Sequence, residues 1–116
     1  MLVFTITETE IQGEEIARAL RHEMLLAADA AKPKHVVVDF RHTQYISSAA
    51  FWPLLSLHRK LQDVGGRLTV CGLSPVVGDV FYTTRLASPD GSFAAPFGVE
   101  PDVETALARL NSAAPP

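Results

Sequence analysis

The sequence has little cysteine and no cluster of metal-binding residue types. Its single cysteine, Cys71, excludes an intramolecular disulfide framework and suits a reducing compartment. The four histidines (His22, His35, His42 and His58) lack metal-ligand spacing and have no pair of cysteines beside them. We therefore expect no metal site and no cofactor.

Long apolar runs and basic runs are also missing. No stretch approaches the roughly 20 apolar residues that a membrane helix needs, and the first residues lack the basic start of a signal peptide. The net charge is -3, and the densest basic segment is the pair Arg59-Lys60, which is too short to follow a phosphate backbone. We predict a cytoplasmic protein that neither inserts into a membrane nor binds nucleic acid.

Common catalytic motifs are absent as well. The chain has no Gly-x-Ser-x-Gly segment of a serine hydrolase. It also has no glycine-rich phosphate loop, since Gly65-Gly66 follows a predicted helix and does not open one. We predict no catalytic residues and a protein that is not an enzyme.

The hydrophobic pattern predicts one globular domain, because 47% of the residues are apolar and only 20% are charged. Periods of two and 3.6 residues alternate along the chain, which predicts a β-α-β-α-β-α-β-α order. That order favours an α/β fold with a central, mostly parallel sheet of four to five strands and about four helices. We place strands at residues 2–7, 35–40, 67–71 and within 93–99, helices at about 13–31, 48–64, 74–85 and 102–110, a turn at 88–91, the domain at 1–110 and a flexible tail at 111–116.

The most informative stretch is the junction between the second strand and the second helix. The run Val36-Val-Val-Asp39-Phe40 is typical of a strand buried on both faces. Ser47 and Ser48 then stand where a helix needs an N-cap, and a helix N-terminus also favours added negative charge. Asp39 is either an acid near this site or the cap of the following turn.

Four fragments follow one another along the chain: Val36-Val-Val-Asp39, Ile46-Ser47-Ser48-Ala49-Ala50-Phe51, Gly65-Gly66-Arg67-Leu68-Thr-Val70, and Ser74-Pro75-Val-Val77. In this order and spacing they resemble a STAS domain, the module that sulfate transporters share with bacterial anti-sigma factor antagonists. The resemblance covers residues 35–110 well and 3–34 loosely. Ser47 stands where the family motif has aspartate and Ala50 where it has glycine. The Gly-Glu-Leu-Asp-like segment near the first helix reads Glu10-Ile11-Gln12-Gly13 here and has no matching aspartate.

The resemblance implies an anti-sigma factor antagonist that acts as a partner switch. In such proteins an anti-sigma factor with serine kinase activity phosphorylates the serine after the motif aspartate and thereby ends binding. That position is Ser48, with Ser47 as the alternative acceptor or as a plain cap. Two other functions remain open: a scaffold subunit of a stress-sensing assembly, and a regulatory subunit bound to an ABC transporter ATPase.

The residues around the two serines predict a partner-binding surface. Trp52 lies off the apolar stripe to which Phe51 belongs, so it is either an exposed interface anchor or a side chain packed in its own domain. The first strand is expected near a sheet edge, where it would support a homodimer. The predicted surface comprises Tyr45, Ser47, Ser48, Ala49 and Trp52.

Overall fold

A computed structural model describes residues 2–87 and 96–113, with side chains up to residue 109. The predicted alternation of strands and helices is confirmed, and two short strands are added to it. The strands are β1 (Leu2–Thr5), β2 (Glu10–Ile11), β3 (His35–Asp39), β4 (Tyr45–Ile46), β5 (Arg67–Cys71) and β6 (Gly98–Glu100), and the helices are α1 (Glu14–Ala31), α2 (Phe51–Gln62), α3 (Pro75–Thr83) and α4 (Val103–Ala113).

The central sheet has the strand order β1-β3-β5-β6, and each of its three pairings is parallel. Strand β1 therefore lies at an edge of the sheet, as expected. A separate two-stranded sheet pairs β2 with β4, also in parallel. Two-residue strands are too short to produce a periodic pattern, which is why the sequence did not predict them.

The valines of β3 are fully buried because helices cover both faces of the sheet. Val36 and Val38 contribute to the main core, which also contains apolar side chains from α1, α2 and α3. Val37 faces the other side and packs with Cys71 and Ala106 of α4. Consecutive residues of one strand thus belong to two cores.

Some predicted details were wrong. The apolar period of the second predicted helix places Val64 in its buried stripe, but Val64 is 58% exposed because it follows the end of α2, and Leu57 fills the core position instead. The period of the first helix likewise predicts that Ile16 is buried. Ile16 is exposed, since the buried stripe of α1 is centred on Ala17, Leu20 and Met24.

The last part of the chain departs from its predicted limits. Strand β6 covers residues 98–100, at the end of the predicted range, and the turn predicted at 88–91 lies outside the described residues. Helix α4 continues to residue 113, beyond the predicted end at 110, while 114–116 lie outside the described residues.

The Gly65-Gly66 pair uses two different properties of glycine. Gly65 has a φ of +72°, the left-handed conformation that glycine commonly adopts just after the end of a helix, here α2. At Gly66 the reason is space, because a Cβ atom there would lie 1.5 Å from the carbonyl oxygen of Lys34. The backbone before β3 therefore lies directly against the turn that precedes β5.

We expect Gly66→Ala to lower the free energy of unfolding by about 3 kcal/mol or more, because a backbone segment must move to admit the methyl group. Gly13→Ala is the control. Gly13 has a φ of +84° and a ψ of 164°, a conformation nearly restricted to glycine, but a Cβ atom added there would meet no atom of a distant residue within 4 Å, so only backbone strain of about 1 to 3 kcal/mol is added. Urea denaturation measures both. Equal losses in the two variants would contradict the packing explanation.

Candidate functional site

The site begins where β3 leaves the sheet, at the carboxyl ends of the parallel strands. Asp39 is buried, and its Oδ1 atom accepts a hydrogen bond of 3.0 Å from the backbone N–H of Arg41. Its Oδ2 atom lies 3.2 Å from Nε of Arg41. Asp39 therefore caps the turn after β3, which is one of the two roles that the sequence left open.

Thr43 fixes the segment that follows this turn. It is 1% exposed, and its hydroxyl donates a hydrogen bond of 2.9 Å to the carbonyl oxygen of Glu8. Its backbone N–H donates to the carbonyl oxygen of Phe40 at 2.9 Å. The connection between β3 and the serines is thus tied both to its own strand and to the segment before α1.

The pairing of β2 with β4 continues the contact between these two segments as far as Ser47. Glu10 lies opposite Tyr45, and Ile11 lies opposite Ile46. The ladder ends with a 2.9 Å hydrogen bond from the backbone N–H of Ser47 to the carbonyl oxygen of Ile11. The segment at the place of the family's Gly-Glu-Leu-Asp-like region therefore does lie beside the serines, and it places Glu10 on the strand next to Tyr45.

Ser47 occupies an N-cap position by its backbone, but its hydroxyl does not act as a cap. Its φ and ψ are -98° and 171°, and its carbonyl oxygen accepts a bond of 3.0 Å from the N–H of Ala50. The Oγ atom is buried and has no hydrogen-bond partner among the described residues. The expectation of a capping hydroxyl was wrong here, whereas Ser74 does cap α3 by accepting from the N–H of Val77 at 3.2 Å.

Ser48 opens a 3-10 turn, Ser48–Ala50, that leads directly into α2. Pro53 predicts such a distorted or late first turn from the sequence, because it lacks the N–H that a regular helix would direct to residue 49. The α-helix accordingly begins at Phe51 and keeps Pro53 in its first turn, where an N–H is not needed. Ser48 is exposed, while Ala49 is half-buried and Ala50 is buried beneath it.

Trp52 is 53% exposed and Tyr45 is 42% exposed. The guanidinium carbon of Arg21, on α1, lies 4.9 Å from the centre of the Trp52 ring. The Nε atom of Arg21 also donates a hydrogen bond of 3.2 Å to the hydroxyl of Ser56. Phe51, in contrast, is buried and makes an edge contact with Phe81, as its place in the apolar stripe predicted.

The structure therefore gathers the predicted residues at one junction, with Ser48, Tyr45 and Trp52 exposed around it. Sequence reasoning missed three residues of this region: Thr43, Glu10 and Arg21. Thr43 and Glu10 depend on the short β2–β4 pairing, and the role of Arg21 depends on how α1 packs against α2. No local sequence signal marks any of them.

Neither a metal cluster nor a membrane-spanning helix occurs in the part of the chain that the structure describes. Within residues 2–87 and 96–113, no three His, Cys, Asp or Glu side chains are grouped so that they could hold a metal ion. Over the same ranges, no helix has the length and apolar character needed to cross a membrane.

This chain is similar to known proteins of one family. The family model described as STAS domain matches residues 7–106. BtrV of Bordetella bronchiseptica, a protein named as a putative anti-sigma factor antagonist, is 34% identical over 100 residues, which cover 85% of this chain and 80% of BtrV. The resemblance drawn from the sequence fragments is thereby confirmed.

Two solved structures have a similar fold. The anti-sigma factor antagonist SpoIIAA in its unphosphorylated form matches with a TM-score of 0.75 and 19% identity, covering 97% of this chain and 90% of SpoIIAA. The murine anion transporter Slc26a9 matches with a TM-score of 0.71 and 10% identity, covering 96% of this chain and 18% of the transporter. At these identities both matches show the fold alone.

We expect Trp52→Ala to lower the free energy of unfolding by only about 1 to 2 kcal/mol, because Trp52 is already 53% exposed, and truncation removes its partial burial and its contact with Arg21. Phe51→Ala, one residue earlier, is the matched control and should cost about 3 to 5 kcal/mol, as a buried aromatic does. Urea denaturation followed by circular dichroism measures both. A loss for Trp52→Ala as large as that for Phe51→Ala would assign Trp52 to the core.

Proposed function

This chain belongs to the STAS domain family, and we propose that it is an anti-sigma factor antagonist whose binding is controlled by phosphorylation of Ser48. The similarity to BtrV, at 34% identity over most of both chains, supports the antagonist class. The proposed partner is an anti-sigma factor with serine kinase activity, which the protein meets in the cytoplasm. In this proposal the protein itself is not an enzyme.

The observation that carries the proposal is the exposure of Ser48 at the start of a helical segment whose backbone is fixed on both sides. Ala50 is buried two residues after it, and the backbone N–H of Ser47 is bound to the carbonyl oxygen of Ile11 just before it. Ser48 can therefore enter a kinase active site as an accessible hydroxyl. Ser47 is the poorer acceptor because its Oγ atom is buried.

Phosphorylation would change this surface chiefly through charge. A phosphoserine adds about -1.5 to -2 charges at neutral pH, and the same surface already carries the negative charge of Glu10, which lies opposite Tyr45 in the β2–β4 pairing. A helix N-terminus tolerates such charge, but a partner surface that removes water from Ser48 does not. Phosphate on Ser48 should thus end binding while leaving the fold intact.

The proposed contact surface is Tyr45, Ser47, Ser48, Ala49 and Trp52. Tyr45 and Trp52 supply the large exposed rings, and the small residues between them allow close approach of the partner. A truncated aromatic anchor of this kind typically costs about 2 kcal/mol or more of binding energy. We also propose that a second copy can pair at β1, because that strand is at the sheet edge with Val3 exposed.

We expect Ser48→Asp to weaken binding of the anti-sigma factor at least about tenfold, since a carboxylate brings a like charge or an unpaired charge into the interface. Ser48→Ala should bind in the presence of ATP as well as in its absence. Isothermal titration calorimetry measures the affinities, and mass spectrometry locates the phosphate after incubation with the kinase and ATP.

Ser47→Ala and Ser56→Ala are the controls, and both should still be phosphorylated. Ser56 is a suitable match because it is a serine of the same helical segment, about two turns after Ser48. Phosphate at Ser47, or none at all with a partner that binds, would defeat the assignment of Ser48. Isolation of the protein in large homo-assemblies, or with an ABC transporter ATPase and without an anti-sigma factor, would favour the scaffold or the transporter-regulator function instead.

A further inference from the structure

Arg21 connects the two helices next to the proposed phosphorylation site. Its guanidinium lies over the ring of Trp52 at 4.9 Å, and its Nε atom donates to the hydroxyl of Ser56 at 3.2 Å. Both contacts are made to side chains of α2, although Arg21 belongs to α1. The cation is therefore held in a defined place on the surface of α2 while Ser48 is unmodified.

Ser48, Trp52 and Ser56 are spaced by four residues along the 3-10 turn and α2. Trp52 and Ser56 lie above one another on α2, and Ser48 lies about one turn before Trp52, rotated around the axis by the tighter winding of the 3-10 turn. Side chains of a helix lean toward its N-terminus, and the Trp52 ring therefore leans toward the turn that carries Ser48. Ser48 and Trp52 are separated by about 6 to 8 Å along the axis, and the guanidinium of Arg21 lies on the Trp52 ring, so this cation is within a comparable distance of the turn that carries Ser48. A long, flexible side chain can move that far without displacing its backbone.

A phosphate at Ser48 would compete with Trp52 for this cation. A guanidinium over an aromatic face gains a modest electrostatic attraction. A guanidinium facing a phosphate makes two parallel charge-assisted hydrogen bonds, which are considerably stronger. The single hydrogen bond to the neutral hydroxyl of Ser56 does not reverse this order. Arg21 should therefore bind the phosphate in preference to the Trp52 ring.

We propose that Arg21 binds the phosphate of phosphorylated Ser48 and in doing so leaves the ring of Trp52. The proposal rests on the proposed function, since it requires a phosphate at Ser48. Phosphorylation then alters the partner surface in two ways. It adds negative charge at Ser48, and it removes the guanidinium of Arg21 from the ring of Trp52, the proposed anchor. Arg21 becomes the residue that transmits the modification to Trp52.

A second arginine of α1, Arg18, is the alternative partner for the phosphate. Helices α1 and α2 run side by side in the same direction, since Arg21 contacts Ser56 and, further along both helices, Asp29 pairs with Lys60. Arg18 lies one turn before Arg21. The negative charges of this region, Glu14 and Glu15 in the first turn of α1 and Glu10 on β2, would repel a phosphate. Arg18 is thus the alternative cation for the phosphate, and the experiment must separate it from Arg21.

The test uses protein that carries phosphoserine at position 48, installed during synthesis so that neither kinase nor partner is needed. Phosphorus NMR follows the titration of the phosphate, whose second pKa is ordinarily about 6. Acrylamide quenching of fluorescence reports on Trp52, the only tryptophan in the chain. The variants are Arg21→Gln, Arg18→Gln and Arg59→Gln. Arg59 is the distant control, since it lies eleven positions after Ser48, or about 16 Å along a helix. This distance exceeds the Debye length of about 8 Å at physiological ionic strength, so the charge of Arg59 is largely screened from a phosphate at Ser48.

We expect the pKa of the phosphate to lie below its ordinary value, to rise by about half a unit or more in Arg21→Gln, and to stay unchanged in Arg59→Gln. Phosphorylation should increase the quenching of Trp52, whereas in Arg21→Gln the quenching should be high with or without phosphate. A larger pKa rise in Arg18→Gln than in Arg21→Gln would overturn the proposal.

Unchanged Trp52 quenching between the unmodified and phosphorylated natural sequence would also overturn it, and this comparison needs no variant that might fail to fold. Failure here is distinct from failure of the proposed function. The latter is decided by where the kinase places phosphate, whereas this test begins with the phosphate already at Ser48.

Discussion

The burial of β3 on both faces is the constraint on which the other parts of the structure depend. Val36, Val37 and Val38 have no exposed surface, so helices must cover both sides of the sheet, and β1 and β5 must satisfy the backbone of β3 by parallel pairing. Parallel pairing in turn requires a crossover helix between successive strands, which α1 and α2 supply. The carboxyl end of β3 then delivers the chain to the edge of the sheet where Ser48 lies.

The segment between β3 and α2, which lies beyond that edge, is held in place by a few specific hydrogen bonds. Asp39 caps the turn, the Thr43 hydroxyl binds the carbonyl oxygen of Glu8, and the β2–β4 ladder ends at Ser47. These bonds satisfy backbone groups that would otherwise be buried without partners. They also leave one side of the segment open to solvent. The result is an exposed serine on a fixed backbone, which is an arrangement that a modifying enzyme and a binding partner can both use.

The aromatic residues of the site divide between the core and the surface within two consecutive positions. Phe51 packs edge-on against Phe81, which also contacts Phe40 and Phe97 in the same way. Trp52 points away from this cluster and is covered in part by the guanidinium of Arg21. A helix turns by about 100° per residue, so adjacent side chains can serve the fold and the surface separately. The stability of the domain and the chemistry of the proposed binding surface are therefore nearly independent at this helix.

The sequence by itself determined the order of the main elements, because periods of two and 3.6 residues, Gly65-Gly66 and Ser74-Pro75 are local signals that arise from backbone geometry. It also placed Ser47 and Ser48 at a helix start and predicted an irregular first turn, since the missing N–H of Pro53 acts within one turn. Only the tertiary structure decided that Val64 is exposed, that the Ser47 hydroxyl is buried without capping the helix, and that Thr43, Glu10 and Arg21 belong to the site. Those properties depend on contacts between segments distant in the chain, such as Arg21 with Ser56 and Thr43 with Glu8. A local pattern carries no information about which distant segment will pack against it.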